Sequence, residues 1–367
     1  MKSSKIVVWN YLRDYKKNQK AILKIVDKVF LSGQLILSNQ VNNFENNFAN
    51  YTNTKYAIGV NSGTDAIQIA LMAIGIKKND EVITVSNTAV PTVSAIVSCG
   101  AIPIYVDINE KDYLIDISLI EKKISKKTKA IIPVNLYGQS ADYEKINKIA
   151  KKFNLKVIED CAQSAGSFYK GRPSGSNGDL AAFSFYPTKI LGAYGDGGMV
   201  VTNNKNYFVK AKKLRKYGMS KLYYSEFHGV NSRLDEVQAA ILNYQLSKLN
   251  QNILKRRRIA KIYDENIIND KLIKPIESKN NFHGYYIYVV RHPQRNKIMN
   301  YLRKNHVFCN ISYPFPIHSM KGYKHLHKKT EKLKITDKLS KQIFSLPMYP
   351  ELKTKDVEKV IKLINNF

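Results

Sequence analysis

Apolar and polar positions along this chain follow two periods. Short apolar, β-branched runs stand at 56–60, 81–85, 102–106, 130–134, 156–158, 180–185 and 199–202. Each has the length of a buried strand. Between the earlier runs, apolar residues recur every third or fourth position at 64–75, 91–99, 118–124 and 141–153, which predicts helices. Ahead of them, helical spacing covers 19–31 up to Ser32-Gly33, and returns around Phe44 and Phe48. Strands alternating with helices predict an α/β fold, a mostly parallel seven-stranded sheet flanked by helices. Ligands then collect at the carboxyl ends of the strands. No helical pattern separates 180–185 from 199–202, so that pair is expected to run antiparallel.

The texture changes after Arg233. One long helix is expected over 233–249, with Leu234, Val237, Ala240, Ile241 and Tyr244 in an apolar stripe that Lys248 interrupts. A basic run, Lys255-Arg256-Arg257-Arg258, follows; it reads as a solvated helix face, with a diphosphate contact as the alternative. A strand at 285–290 and helices at 296–305 and 355–364 complete the pattern. These features predict a large domain over 1–240 and a smaller C-terminal α+β domain over 241–367. The N-terminal segment, which holds the single tryptophan, Trp9, is expected to pack on the small domain.

Three strand ends carry candidate chemistry. The run 180–185 leads into Tyr186-Pro187-Thr188-Lys189 and a glycine-rich stretch, Gly192 to Gly198. A lysine beside a packed sheet is costly to keep charged, and the same burial makes its amine a Schiff-base former. Asn61-Ser62-Gly63-Thr64 stands where the first strand hands over to a helix. Free N–H groups there attract a phosphate, although Ser62 or Thr64 could equally be a plain N-cap. Asp160 and Gln163 follow the strand at 156–158, where a carboxylate could serve a metal, a ribose, a protonated ring nitrogen or a helix cap. Together, a phosphate nest, an acid and an imine-forming lysine are the three points that fix pyridoxal 5′-phosphate.

Composition bounds the function classes. The chain has 367 residues, with 59 Lys+Arg against 29 Asp+Glu and a net charge of +30. Such a field draws in anionic ligands. No helix-turn-helix, zinc-finger or RNP pattern accompanies it, so a nucleic-acid-binding non-enzyme is the remote alternative. Three scattered cysteines make neither a disulfide framework nor a zinc site. No apolar run approaches the ~18 residues of a membrane span. A cytoplasmic protein without membrane or metal is expected.

Ser62-Gly63-Thr64, Tyr137-Gly138-Gln139, Glu159-Asp160-Cys161-Ala162-Gln163, Ser176-Asn177-Gly178-Asp179, Phe183 through Lys189 and Asn231-Ser232-Arg233-Leu234-Asp235-Glu236 resemble, in order, the DegT/DnrJ/EryC1/StrS sugar aminotransferases. The resemblance implies a fold-type I aminotransferase using pyridoxal 5′-phosphate, with nucleotide-diphosphate sugar and glutamate as substrates. It implies Lys189 as the Schiff-base lysine and proton carrier, Asp160 on the ring nitrogen and Gln163 on the ring hydroxyl. Gly63, Thr64 and Ser184 would hold the phosphate, and Asn231 would reach it from the other subunit of a homodimer with shared active sites. Tyr186, His228, Tyr313 and His318 would stand near the sugar. The spellings look most like the branch that aminates C3 of dTDP-3-oxo-6-deoxyhexoses for surface glycans. The alternative is C4 amination of a UDP- or GDP-4-oxo sugar. A lysine at 189 argues against the dehydratases of the same fold, in which histidine replaces it. One departure is Ala89, where the family usually carries an aromatic residue that stacks on the cofactor.

Overall fold

The computed structural model describes residues 5–326 and 332–367. Its centre is a seven-stranded sheet in the order Tyr56–Val60, Gly198–Thr202, Leu180–Ser184, Lys156–Asp160, Thr128–Ile131, Glu81–Val85 and Ile102–Val106. Gly198–Thr202 runs antiparallel to both its neighbours, as expected for one of them. The other pairings are parallel. The carboxyl ends of Tyr56–Val60, Lys156–Asp160 and Leu180–Ser184 therefore lie along one edge, and Gly198 begins its strand there.

Alternation along the strands sends side chains to opposite faces. Ile58, Val60, Ile158, Ala182 and Val200 pack with Ala66, Ile67 and Ala70 of helix Gly63–Ala73. Ala57, Ala181, Phe183, Met199 and Val201 pack on the other face with Phe44 and Phe48 of helix Asn39–Tyr51. A further cluster joins Ile6 to Tyr263, Tyr288, Leu302, Phe344 and Val360. There Ile6–Val7 pairs in parallel with Val307–Phe308, so the N-terminal segment adds a strand to the C-terminal part of the chain. Helix Leu249–Asn266 bridges the two cores, with Leu249 and Ile253 in one and Ile259 and Tyr263 in the other.

Several elements depart from the sequence pattern. The first helix starts at Tyr11 and runs to Leu31; its extra turns are polar and dock through Asn18, which accepts from the Tyr244 hydroxyl (3.0 Å). The stretch at 118–124 forms two short 3₁₀ turns. The helix expected over 233–249 is Glu236–Leu246, and a second begins at Leu249. Lys248 at the break donates to Asn18 Oδ1 (2.6 Å) and covers the Tyr244 ring. The late strand begins only at Tyr288, because Tyr285 is in the left-handed region (φ 47). Arg256 does not lie on a solvated face. It is buried and donates to the carbonyls of Tyr285, Tyr286 and Met348.

Buried carboxylates hold remote segments together. Glu236 accepts from the backbone N–H groups of Ser38 (2.7 Å), Gln40 (2.7 Å) and Val41 (3.0 Å). It thus supplies the acceptors that the first turn of helix Asn39–Tyr51 lacks. Glu159 does the same for Gly175, Asn177 and Gly178. Leaving such donors unpaired costs about 1–3 kcal/mol each when buried and less where water can enter. Glu236→Ala should lower unfolding free energy by about 2–3 kcal/mol in urea titration, and Glu236→Gln, which keeps one acceptor oxygen, by less.

Candidate active site

The sheet edge described above opens into a cavity of about 230 Å³. Ser62, Gly63 and Thr64 line it together with Asp160, Gln163, Ser184, Tyr186 and Lys189. Three separated stretches of chain thus meet at one place.

Each wall has a local cause. Ser62 is the N-cap of helix Gly63–Ala73, and its hydroxyl accepts from the N–H of Asp65 (3.1 Å). The capping and nest readings are therefore compatible: Ser62 satisfies Asp65, and the N–H groups of Gly63 and Thr64 stay outside the helical ladder. A Cβ on Gly63 would lie 2.6 Å from Ser184 Cβ, so only glycine lets the helix start this close to the neighbouring strand end. The Ser232 hydroxyl ties the nest from behind, donating to Asp65 Oδ2 (2.6 Å) and accepting from Asn61 N–H (3.0 Å).

Asp160 ends the strand Lys156–Asp160 and is 3% exposed. Its Oδ2 accepts from the Thr92 hydroxyl (2.7 Å) and its Oδ1 from the N–H of Ala162 (3.1 Å). Burial pushes its carboxyl above the usual carboxylate range, while Thr92, Ala162 and the charge of Lys189 pull it down. A cation placed against it would hold it ionised. Lys189 closes a tight turn, its N–H donating to the Tyr186 carbonyl (2.8 Å). Its Nζ stands 4.9 Å from the centre of the Tyr286 ring, a favourable resting place for an ammonium.

Gln163 is held at both ends of its amide. Oε1 accepts from the N–H of Tyr137 (2.8 Å), and Nε2 donates to the Tyr313 hydroxyl (2.6 Å). Tyr313 begins a loop whose far end is fastened to the other wall. The N–H groups of Ile317 and His318 donate to the carbonyl and hydroxyl of Ser86 (3.1 and 3.0 Å). The imidazole of His318 meets Ser86 Oγ (2.7 Å) and Asp337 (3.2 Å).

Of the residues expected at the site, Gly63, Thr64, Asp160, Gln163, Ser184, Tyr186 and Lys189 share the cavity. Asn231 and His228 are exposed and do not line it. Nor do Tyr313 and His318 line it; Tyr313 accepts from Gln163, and His318 fastens the loop. Sequence reasoning missed Thr92, Tyr286 and the backbone of Tyr137. For Thr92 a signal existed: Thr88 and Thr92 lie four apart at a helix start just past a strand, and their hydroxyls meet at 3.0 Å. Among the described residues no group of three or more His, Cys, Asp or Glu could hold a metal, and no helix is long and apolar enough to cross a membrane.

The donor set fits pyridoxal 5′-phosphate in kind: amide donors beside a glycine cradle, a buried carboxylate, an amide donor and a primary amine. A Schiff-base enzyme on a fold-type I sheet is the class these features define. Residues 16–365 match the model of the DegT/DnrJ/EryC1/StrS aminotransferase family, and the chain belongs to that family. It is an aminotransferase dependent on pyridoxal 5′-phosphate.

The dTDP-3-amino-3,4,6-trideoxy-alpha-D-glucose transaminase of Micromonospora megalomicea subsp. nigra is 46% identical, over 97% of each chain. The dTDP-3-amino-3,6-dideoxy-alpha-D-galactopyranose transaminase of Aneurinibacillus thermoaerophilus is 43% identical, over 95% of this chain and 96% of its own. The crystal structure of S. venezuelae DesV superposes with a TM-score of 0.97 at 33% identity, covering 99% of this chain and 98% of that one. The resemblance read from the motifs and the α/β fold are both borne out.

Gly63→Ala should lower unfolding free energy by about 1–3 kcal/mol through overpacking against Ser184. The better helix propensity of alanine returns less than about 1 kcal/mol. Urea titration of the two proteins checks the sign.

Proposed function

We propose that this enzyme moves the amino group of glutamate to C3 of a dTDP-3-oxo-6-deoxyhexose, giving a dTDP-3-amino-3,6-dideoxyhexose for surface glycans. The observation that carries the reading is the convergence of Lys189, Asp160 and the 62–64 nest on one cavity. The choice of C3 rests on the relatives, both of which are named for 3-amino products. We place the enzyme in the cytoplasm, which suits three free cysteines. We also keep the division into a large domain, 1–240, and a small one, 241–367, with helix Leu249–Asn266 spanning both cores.

Pyridoxal 5′-phosphate supplies an electron sink that lets the C–H bond next to the transferred nitrogen break. The chain's residues do the rest. Gly63, Thr64 and Ser184 take the phosphate at the helix N-terminus, where the dipole favours an anion. Asp160 keeps the ring nitrogen protonated, and Thr92 and the N–H of Ala162 hold that carboxylate in place. Gln163 Nε2 would donate to the ring hydroxyl. Lys189, which lines the same cavity, would be the residue that holds the cofactor's carbonyl end, and its neutral amine would move the proton from one carbon to another. Tyr186, 52% exposed at the cavity rim, stands where an incoming sugar would pass. We assign His228, exposed and outside the lining of this cavity, to substrate contact on the resemblance alone.

Asn231 is exposed while its neighbour Ser232 is buried against the nest of its own chain. Its side chain is thus free to serve a second copy, and we assign it to the phosphate of the partner in a homodimer.

Assayed side by side with glutamate, 3-oxo and 4-oxo nucleotide sugars should differ, with turnover of the 3-oxo compound dominating; turnover of the 4-oxo compound alone would transfer the assignment to C4. Homodimers of Lys189→Ala should be inactive and those of Asn231→Ala impaired. A dimer mixing the two variants should recover about half of the wild-type activity, because one of its sites keeps both residues. Absence of recovery in the isolated mixed dimer removes the shared-site assignment.

A further inference from the structure

The side chain of Gln163 is fixed by two parts of the chain far apart in sequence, at Tyr137 and Tyr313. A backbone N–H can only donate, so the atom facing Tyr137 N (2.8 Å) must be the amide oxygen. That assigns Nε2 to the other end, where one of its protons meets the Tyr313 hydroxyl at 2.6 Å. The second proton is left for the cavity. Without Tyr313 the amide would be pinned at its oxygen alone and could swing about that point. Tyr137 and Tyr313 stack with centroids 6.4 Å apart and planes 10° from parallel. Both hold left-handed backbone, at φ 62 and 64, a conformation that costs a non-glycine residue of order 1 kcal/mol. The charged and titratable groups around Tyr313 are Tyr286, Tyr137 and Asp160.

We propose that Tyr313 is a positioning residue: by accepting from Gln163 Nε2 it aims the remaining amide proton at the cofactor's ring hydroxyl, and so sets the pH at which the lysine-bound cofactor titrates. This rests on the cofactor reading above. The chemistry is direct. The ring hydroxyl oxygen shares a proton with the nitrogen that joins the cofactor to Lys189. A donor aimed at that oxygen draws charge from it, and the nitrogen then releases its proton at lower pH. Loosening the donor moves the midpoint up. Because Tyr313 starts the loop fastened at Ser86, it links that loop to the reactive nitrogen.

The test is a spectroscopic pH titration of the holoenzyme, following the visible band of the lysine-bound cofactor, which Lys189→Ala should abolish. Tyr313→Phe should raise the midpoint by roughly 0.5–1 pH unit. Gln163→Ala should raise it at least as far. Adding Tyr313→Phe to Gln163→Ala should then change nothing, because there is no amide left to aim. Gln163→Asn, whose shorter amide cannot span both tyrosines, should also raise the midpoint and reads the coupling if Tyr313→Phe does not fold. A titration unmoved by Tyr313→Phe, or moved equally with and without Gln163, overturns the proposal while the cofactor reading stands. A wild-type holoenzyme with no lysine-dependent band overturns the cofactor reading and this proposal with it.

Discussion

Backbone approaches backbone at the carboxyl edge of the sheet more closely than any side chain allows. A Cβ at position 198 would stand 2.2 Å from the carbonyl oxygen of Ser62, and one at position 63 would press on Ser184. These contacts bring the start of helix Gly63–Ala73, the end of strand Leu180–Ser184 and the beginning of Gly198–Thr202 into one corner. Everything chemical is hung from that corner. The antiparallel insertion of Gly198–Thr202 between two strands that are parallel to each other lets the first strand's helix cap face the turn that bears Lys189. The next strand in the order, Lys156–Asp160, brings Asp160 alongside. Any separation of those backbones would move the 62–64 end of the cavity away from Lys189.

The charge of the chain divides by job. Glu45, Asp107, Glu159, Asp160, Glu236 and Asp356 are buried. At least four of them serve as acceptors for backbone N–H groups of distant segments; Asp107 takes those of Ile335 and Thr336, and Glu45 that of Gly59. Buried cations among the described residues are the arginines 215, 256 and 291, and two of them donate to backbone carbonyls. A carboxylate accepts several bonds and a guanidinium donates several, so each can saturate a loop that secondary structure leaves unpaired. An ammonium is more strongly hydrated, and among the described residues no lysine is fully buried, Lys189 and Lys248 being half-buried. The net +30 is therefore a property of the surface. It favours anionic ligands by long-range attraction and says little about how the interior is held.

What was legible in the sequence follows from which features are local. Strand periods located all seven sheet strands within a few residues, since burial on both faces leaves little besides apolar β-branched residues. The strand-end residues Lys189, Asp160 and Ser62-Gly63-Thr64 were legible for the same reason: a polar residue just past an apolar run is conspicuous. Tertiary partners were not. The helix starting at Tyr11 is polar in its first turns and is held by contacts with Tyr244. Arg256 reads as one of three consecutive bases, yet three carbonyls from two distant segments draw it inside. Tyr286, more than ninety positions beyond Lys189, meets it only after the chain has folded back.

Ala89 lines the cavity along with Pro91 and Ala162, where related enzymes usually offer a flat aromatic ring. Among the described residues the one aromatic side chain lining the cavity is Tyr186, and it is half exposed. A planar ligand in such a space gains little from face-on stacking, which elsewhere contributes about 0.5–1.5 kcal/mol beyond burial. In the assignment proposed above, its hold would come from its edges: the 62–64 nest at the phosphate, Asp160 at the ring nitrogen, Gln163 at the ring hydroxyl and the amine of Lys189. Edge contacts are directional, so they tolerate little play in the groups that make them. This accounts for the pairing of each edge group with a second support: Asp160 with Thr92, the nest with Ser232, and Gln163 with Tyr137 and Tyr313. A site with smooth, small walls has to be rigid at its rim.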